Sequence, residues 1–195
     1  MMTLLPSQRA AADFAYYPSL SPFTVSQQTY LETQPDAPYS HLATGSMVFD
    51  HSEPSAPRIL LVQRSETDSM PGRWEIPGGA CDDDDESILH AAVRELREET
   101  GLQAARIGPQ VGPGNFFTSR SGKQICRFTF IVAVKLDDRK GRPAVELDPN
   151  EHQQYVWATR QEVEARSCES KLLEFTTPDL ETAVLAAFSL SRTDQ

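Results

Sequence analysis

The sequence predicts an α/β domain behind an N-terminal extension, and three segments carry that prediction. Ile59-Leu60-Leu61-Val62 is a short apolar run rich in β formers. Between residues 88 and 96, Ile88, Leu89, Ala92, Val93 and Leu96 form a stripe one helix face wide. Between 127 and 136, Phe128, Phe130, Val132 and Val134 alternate with Thr129, Ile131 and Ala133, which is the period of a strand. With 195 residues and 39% hydrophobic content, the chain can bury one substantial core. One domain over 41–195, preceded by an extension over 1–40, is the expectation.

In chain order, residues 1–40 are rich in Ser, Pro, Thr, Gln and Tyr without clean periodicity, so they are expected to pack over the domain. Thr24 or Ser26 can cap a short helix through Leu31. Two strands follow, from His41 to Phe49 and from Arg58 to Arg64, with Pro54-Ser55-Ala56-Pro57 breaking between them. Met70-Pro71-Gly72 makes a turn, Arg73 to Ile76 a short strand, and Pro77-Gly78-Gly79 a sharp loop. The striped helix begins between Asp84 and Ser87 and ends at Gly101, the natural left-handed stop. Strands are expected from Phe116 to Thr118 and from Arg127 to Leu136, joined by a hairpin loop containing Gly122. A polar loop from Asp137 to Asn150 reaches the strand Tyr155-Val156-Trp157. Thr159-Arg160-Gln161-Glu162 is a capping box for a short helix, and Thr177-Pro178 opens a last one through Leu190. There are no internal repeats.

The formal charge of −10 and the pI near 4.8 exclude a nucleic-acid polymer and an anionic membrane as natural partners, since both need a basic surface. A small polyphosphate is compatible, because a bound cation inverts the local charge logic. Cys81, Cys126 and Cys168 form no C-x-x-C pair, which argues against a disulfide framework and a structural zinc site. No segment has the length of a membrane span, and Met1 to Phe23 has no basic region followed by an apolar run. A cytoplasmic protein is expected, with Arg9 in an Ala- and Ser-containing leader the sole trace of mitochondrial targeting.

The chemistry starts from a misfit. Glu95, Glu98 and Glu99 stand at i, i+3 and i+4, so three carboxylates share one helical face. They lie in the last two turns, against the negative pole of the helix dipole. Arg94 and Arg97 can pair part of that charge, and a hard divalent cation would compensate it better. Asp82 to Asp85 precede the helix, where the dipole favours acids, so a solvated cap explains them; a calcium loop does not fit their spacing.

These residues resemble the box of the Nudix hydrolase family, G-x5-E-x7-R-E-U-x-E-E-x-G-U with U aliphatic. Every fixed position from Glu86 through Arg94-Glu95-Leu96-Arg97-Glu98-Glu99-Thr100-Gly101-Leu102 matches. The departure is the first glycine: six residues, Ala80 to Asp85, separate Gly79 from Glu86, so the loop is one residue longer than the pattern. The approach Trp74-Glu75-Ile76-Pro77-Gly78-Gly79 also resembles the family. The resemblance implies an α/β/α sandwich with a mixed β-sheet and hydrolysis of a diphosphate linked to another group. It implies Mg2+ or Mn2+ held by Glu95, Glu98, Glu99 and the Gly78 carbonyl, with Arg94 orienting a glutamate. Glu95 is then the general base, with Glu151 in reserve because some members draw the base from a distal loop. A small nucleotide or other diphosphate is the implied substrate, and a homodimer is allowed because many relatives pair.

Arg64 and Arg73 are candidate phosphate contacts, and Phe117, Phe116 or Trp157 could stack on a base. The lead-in to the box is most similar to the nucleotide-sanitising MutT branch. Asn115 and Phe116 stand where the ADP-ribose branch has a proline, and Phe117 and Thr118 where the diadenosine-polyphosphate branch has a tyrosine. One alternative is a catalytically inactive nucleotide sensor on the same fold, although no box glutamate is missing. Another is an isoprenoid diphosphate isomerase, which needs a cysteine facing a glutamate; Cys81 and Cys126 are the cysteines to examine.

Overall fold

Capping chemistry sets the helix boundaries. In this computed structural model, which describes residues 14–136 and 142–191, Ser26 accepts a hydrogen bond from the Thr29 N–H and opens α1 (Gln27–Glu32). Ser87 accepts from His90 at the head of α2 (Ile88–Thr100), and Gly101, at φ 70°, closes that helix. The expected capping box of Thr159 and Glu162 starts α3 (Arg160–Glu164). Thr177, followed by Pro178 at the first helical position, starts α4 (Pro178–Leu190).

The strands are β1 (Ala15–Tyr16), β2 (His41–Asp50), β3 (Arg58–Arg64), β4 (Trp74–Glu75), β5 (Ala104–Gln110), β6 (Asn115–Thr118), β7 (Gln124–Val134) and β8 (His152–Thr159). They form one mixed sheet in the order β1-β5-β7-β2-β3-β4, with β6 added to β7 and β8 to β3. Strands β2 and β7 run parallel, as do β1 and β5, and the remaining pairs in this sheet are antiparallel. A small hairpin of β9 (Ser167–Cys168) and β10 (Lys171–Leu172) stands apart.

Side-chain alternation gives the sheet two apolar faces. On one, Leu42, Val48, Phe128, Phe130 and Val132 pack with Ile88, Leu89, Ala92 and Leu96 of α2. On the other, Met47, Phe49, Ile59, Leu61 and Ile131 pack with Val163 of α3 and Leu180, Val184, Ala187 and Phe188 of α4. The result is the expected α/β/α sandwich. The apolar stripe of α2 faces inward, which turns its glutamate face away from the core.

Several elements differ from the sequence expectation. Strand β5 was not expected, because Gly108 and Pro109 interrupt a segment with few β formers; pairing with β7, through an irregular register, forms it. Strand β8 extends the Tyr155–Trp157 run at both ends. In the N-terminal segment, Pro18–Phe23 forms a 3-10 turn whose Leu20 and Phe23 are buried in the same cluster as α2. Of the loop from Asp137 to Asn150, residues 137–141 lie outside the described residues. The rest returns to α2: the Glu146 N–H donates to the Thr100 carbonyl at 2.9 Å and the Asp148 N–H to the Glu99 carbonyl at 3.3 Å. Two orphan carbonyls at the helix end are thereby satisfied.

Candidate active site

The box loop is built on two glycines. The Gly78 backbone has φ +151°, and a Cβ there would lie 2.2 Å from the Thr44 carbonyl oxygen, so the loop rides directly on β2. A Cβ on Gly79 would lie 2.6 Å from the Glu95 carboxylate, so absence of a side chain makes room for that group. The backbone carries the same contact further: Gly79 O accepts from Thr44 N at 2.8 Å, and the Gly78 N–H donates to Glu99 Oε2 at 2.7 Å. Loop and helix thus converge on one cleft of about 540 Å³.

Glu95 and Glu99 enter that cleft from α2, Gly78 and Gly79 from the loop, Glu75 from β4, and Glu151 and His152 from the start of β8. Glu99 is 4% exposed. Burial, with Glu75 and Glu151 nearby, pushes its carboxyl up to about 9 despite the hydrogen bond from Gly78. Burial also raises Glu95 above the ordinary carboxylate range, against the opposing pull of Arg94. One ligand atom each of Glu99, Glu151 and His152 lies within 4.8 Å of the others, and His152 Nδ1 is buried without a partner among the described residues. His152 Nε2 lies 3.4 Å from Glu75, which Arg64 also binds.

A buried Glu99 carboxyl that resists ionisation, beside further acids and an orphaned buried nitrogen, is a donor set that fits a divalent cation. Mg2+ would take the carboxylate oxygens, whereas Mn2+ also tolerates imidazole. The cysteines offer no competing chemistry: Cys81 and Cys126 are buried, with thiols pushed up to about 12 and about 11, chiefly by burial. Neither thiol lines the cleft, so the isomerase reading has no cysteine in the site.

A family model, the NUDIX domain, matches residues 40–176. The chain belongs to the Nudix family. The CTP pyrophosphohydrolase of Escherichia coli is 34% identical over 105 residues, covering 54% of this chain and 69% of the relative. The RNA pyrophosphohydrolase of Bartonella henselae is 30% identical over 128 residues, covering 59% and 73%. Among solved structures, a MutT protein of Methanosarcina mazei superposes with a TM-score of 0.55 at 22% identity, covering 82% of this chain and 99% of its own. A C. elegans Ap4A hydrolase reaches 0.58 at 19% identity, covering 79% and 99%. At these identities the superpositions establish the fold.

Within the Nudix box, the extra residue changes one partnership. Arg94 donates from Nε and Nη2 to both oxygens of Asp85, at 2.9 and 2.8 Å. It also donates to Glu95 at 2.9 Å, Glu98 at 3.0 Å and the Ala80 carbonyl at 2.9 Å. Burial alone would raise the Asp85 pKa, but the guanidinium outweighs it and holds the group below the usual carboxylate range. Glu86, which matches the sequence pattern, is instead exposed and 3.5 Å from His90. Asp85 stands at the strict spacing from Gly79, and Glu86 at the strict spacing from Arg94. The fold gives the arginine to Asp85, which is therefore not part of a solvated cap.

The other sequence candidates separate. Arg64 lines the cleft, held by Glu75 and Asp68. Arg73 is not brought there: it pairs with Glu174 at 3.3 Å beside a second cavity. Glu98 lies outside the cleft lining, its side chain 59% exposed and tied to Arg94. Phe117 also lies outside the lining and carries the Arg127 guanidinium, 5.5 Å from its ring centroid. Sequence reasoning missed Glu75, Asp85, Arg127 and His152 as parts of the site. The signal for Glu75 was its place in the Trp74–Gly79 approach, and for His152 its neighbour Glu151; Arg127 had no local signal.

Proposed function

We propose that this chain is a divalent-metal-dependent pyrophosphohydrolase that cleaves the diphosphate linkage of a nucleoside di- or triphosphate derivative. The observation that carries it is Glu99, a buried carboxyl pressed against two other acids at the floor of a cleft large enough for a nucleotide. The two relatives named as pyrophosphohydrolases support the same reaction class. Glu95, Glu99 and Glu151, with the Gly78 backbone, would hold Mg2+ or Mn2+, and Glu98 would act at the rim through Arg94. When bound, such a cation polarises phosphoryl oxygens and lowers the pKa of water.

The protein's own groups supply the rest. Glu95 receives the proton of the attacking water: burial raises its affinity for a proton, and Arg94 holds one of its oxygens. Arg64 lines the cleft with its terminal nitrogens held by Glu75 and Asp68, and would bring positive charge to the phosphates rather than a free fork.

The test is a panel of nucleoside triphosphates, dinucleoside polyphosphates, ADP-ribose and nucleotide sugars, with Mg2+ or Mn2+, scored for phosphate or pyrophosphate release. Turnover of at least one compound is expected, falling strongly in Glu95→Gln and Glu99→Gln and less in Glu98→Gln. Absence of turnover on every compound refutes the proposal. If Glu151→Gln loses the rise of rate with pH while Glu95→Gln keeps it, the base is Glu151.

A further inference from the structure

Arg127 stands out among the cleft's cations. Arg64, also on the wall, is held by two carboxylates, whereas among the described residues Arg127 has no carboxylate partner. Its Nε, like that of Arg64, is buried and makes no hydrogen bond among the described residues, but only Arg127 also lacks an ion-pair partner there. A buried donor left unpaired is costly, so a ligand acceptor arriving there gains what the protein alone leaves unmet.

The sheet fixes where this guanidinium sits. Asn115 of β6 pairs with Arg127 of β7, so Phe117, two residues on, occupies the same face one diagonal step away. The ring lies beside the guanidinium, whose carbon is 5.5 Å from the ring centroid, within cation–π range. On its other side, Arg127 is in register with Ala43 of β2, which itself bridges to Ala80 of the box loop. The arginine therefore occupies a wall of the same cleft as Glu95 and Glu99, on a strand of the sheet rather than on the helix that carries those acids.

The guanidinium is itself a planar fork of donors, and such a fork recognises two acceptors lying side by side in one plane. Guanine presents such a pair with O6 and N7, and cytosine does so with O2 and N3. Adenine sets an amino donor beside its ring acceptors, and uracil places an N–H between its carbonyls. We propose that Arg127, supported by Phe117, is the specificity-determining residue of this cleft and selects nucleotides whose base offers two adjacent acceptors. The inference rests on the pyrophosphohydrolase reading above and adds the substrate class to it.

The experiment compares kcat/KM for GTP, CTP, ATP and UTP with Mg2+ in the full chain, in Arg127→Ala and in Arg127→Lys, with inorganic tripolyphosphate as a substrate lacking a base. GTP or CTP should exceed ATP and UTP by tenfold or more, and the GTP-to-CTP ratio identifies which of the two bases is used. Arg127→Ala should bring the ratio to ATP within about threefold, and Arg127→Lys, which keeps charge without the fork, should do the same while remaining as folded as the parent. Equal rates on all four nucleotides overturn the proposal. So does an equal fractional loss on every nucleotide and on tripolyphosphate, which would make Arg127 a phosphate ligand. If the parent turns over nothing, the hydrolase reading fails; calorimetric binding of the four nucleotides with Mg2+ then tests the base ranking by itself.

Discussion

Replacing Glu99 by glutamine should change how stability depends on pH, and by a calculable amount. The Glu99 carboxyl is held at about 9 in the fold, chiefly by burial, against 4.5 for the free side chain. A folded value above the unfolded one means that the native state binds the proton more tightly. Its stabilising contribution is complete below about 4.5 and is lost as pH rises towards about 9. Inside that window one retained proton corresponds to about 1.4 kcal/mol per pH unit. Urea denaturation in EDTA at pH 6, 7 and 8 should therefore show wild-type stability falling with pH, and Glu99→Gln should lose up to about 1.4 kcal/mol per unit of that slope. Excess Mg2+ should restore wild-type stability at pH 8 by replacing the proton, and restore the variant far less. Identical slopes, with identical gains from Mg2+, would refute the assignment of Glu99 as a buried cation ligand.

Three further outcomes follow from other contacts. Arg94→Met leaves Asp85, with a side chain only 7% exposed, without its partner; a loss of about 3 kcal/mol by denaturant titration is expected, together with a fall of about 100-fold in kcat/KM as Glu95 is released. Gly79→Ala puts a methyl 2.6 Å from the Glu95 carboxylate, the end of a flexible side chain, so activity should drop about 100-fold while the Tm barely moves; unchanged activity would mean that Glu95 does not work from this position. Phe23→Ala removes a buried ring packed 4.9 Å from Phe128 and 5.2 Å from Phe130, and should cost about 3–5 kcal/mol in chemical denaturation; a surface-like loss below about 0.5 kcal/mol would show that the N-terminal segment does not complete the core.

The helix of the box was legible because its signals are local. Ser87, Gly101 and the 88–96 stripe specify start, stop and inner face within one short window, and the spacing of Glu95, Glu98 and Glu99 then places the acids together on another face. The capping box of Thr159 and Glu162 and the strands His41–Phe49 and Arg58–Arg64 were readable for the same reason. Strand β5 was not, since Ala104-Ala105-Arg106-Ile107-Gly108-Pro109-Gln110 has little strand preference of its own and exists through pairing with β7. The N-terminal segment likewise shows no period, yet Leu20 and Phe23 are buried once the sheet is present to receive them.

By itself, the sequence determined the family, the reaction class and the acidic helix face, because those depend on residue types at short, fixed spacings. The tertiary structure decided which of the acids lie together. It passed Arg94 to Asp85 rather than Glu86, left Glu98 outside the cleft lining, set Arg73 beside Glu174, and joined Glu75, Glu151 and His152 to Glu99. Those partners come from β4, α2 and the head of β8, up to 77 positions apart in the chain. Only closure of the sheet brings them within a few ångströms, and at that range burial and like charge, rather than residue identity, set what each group can do.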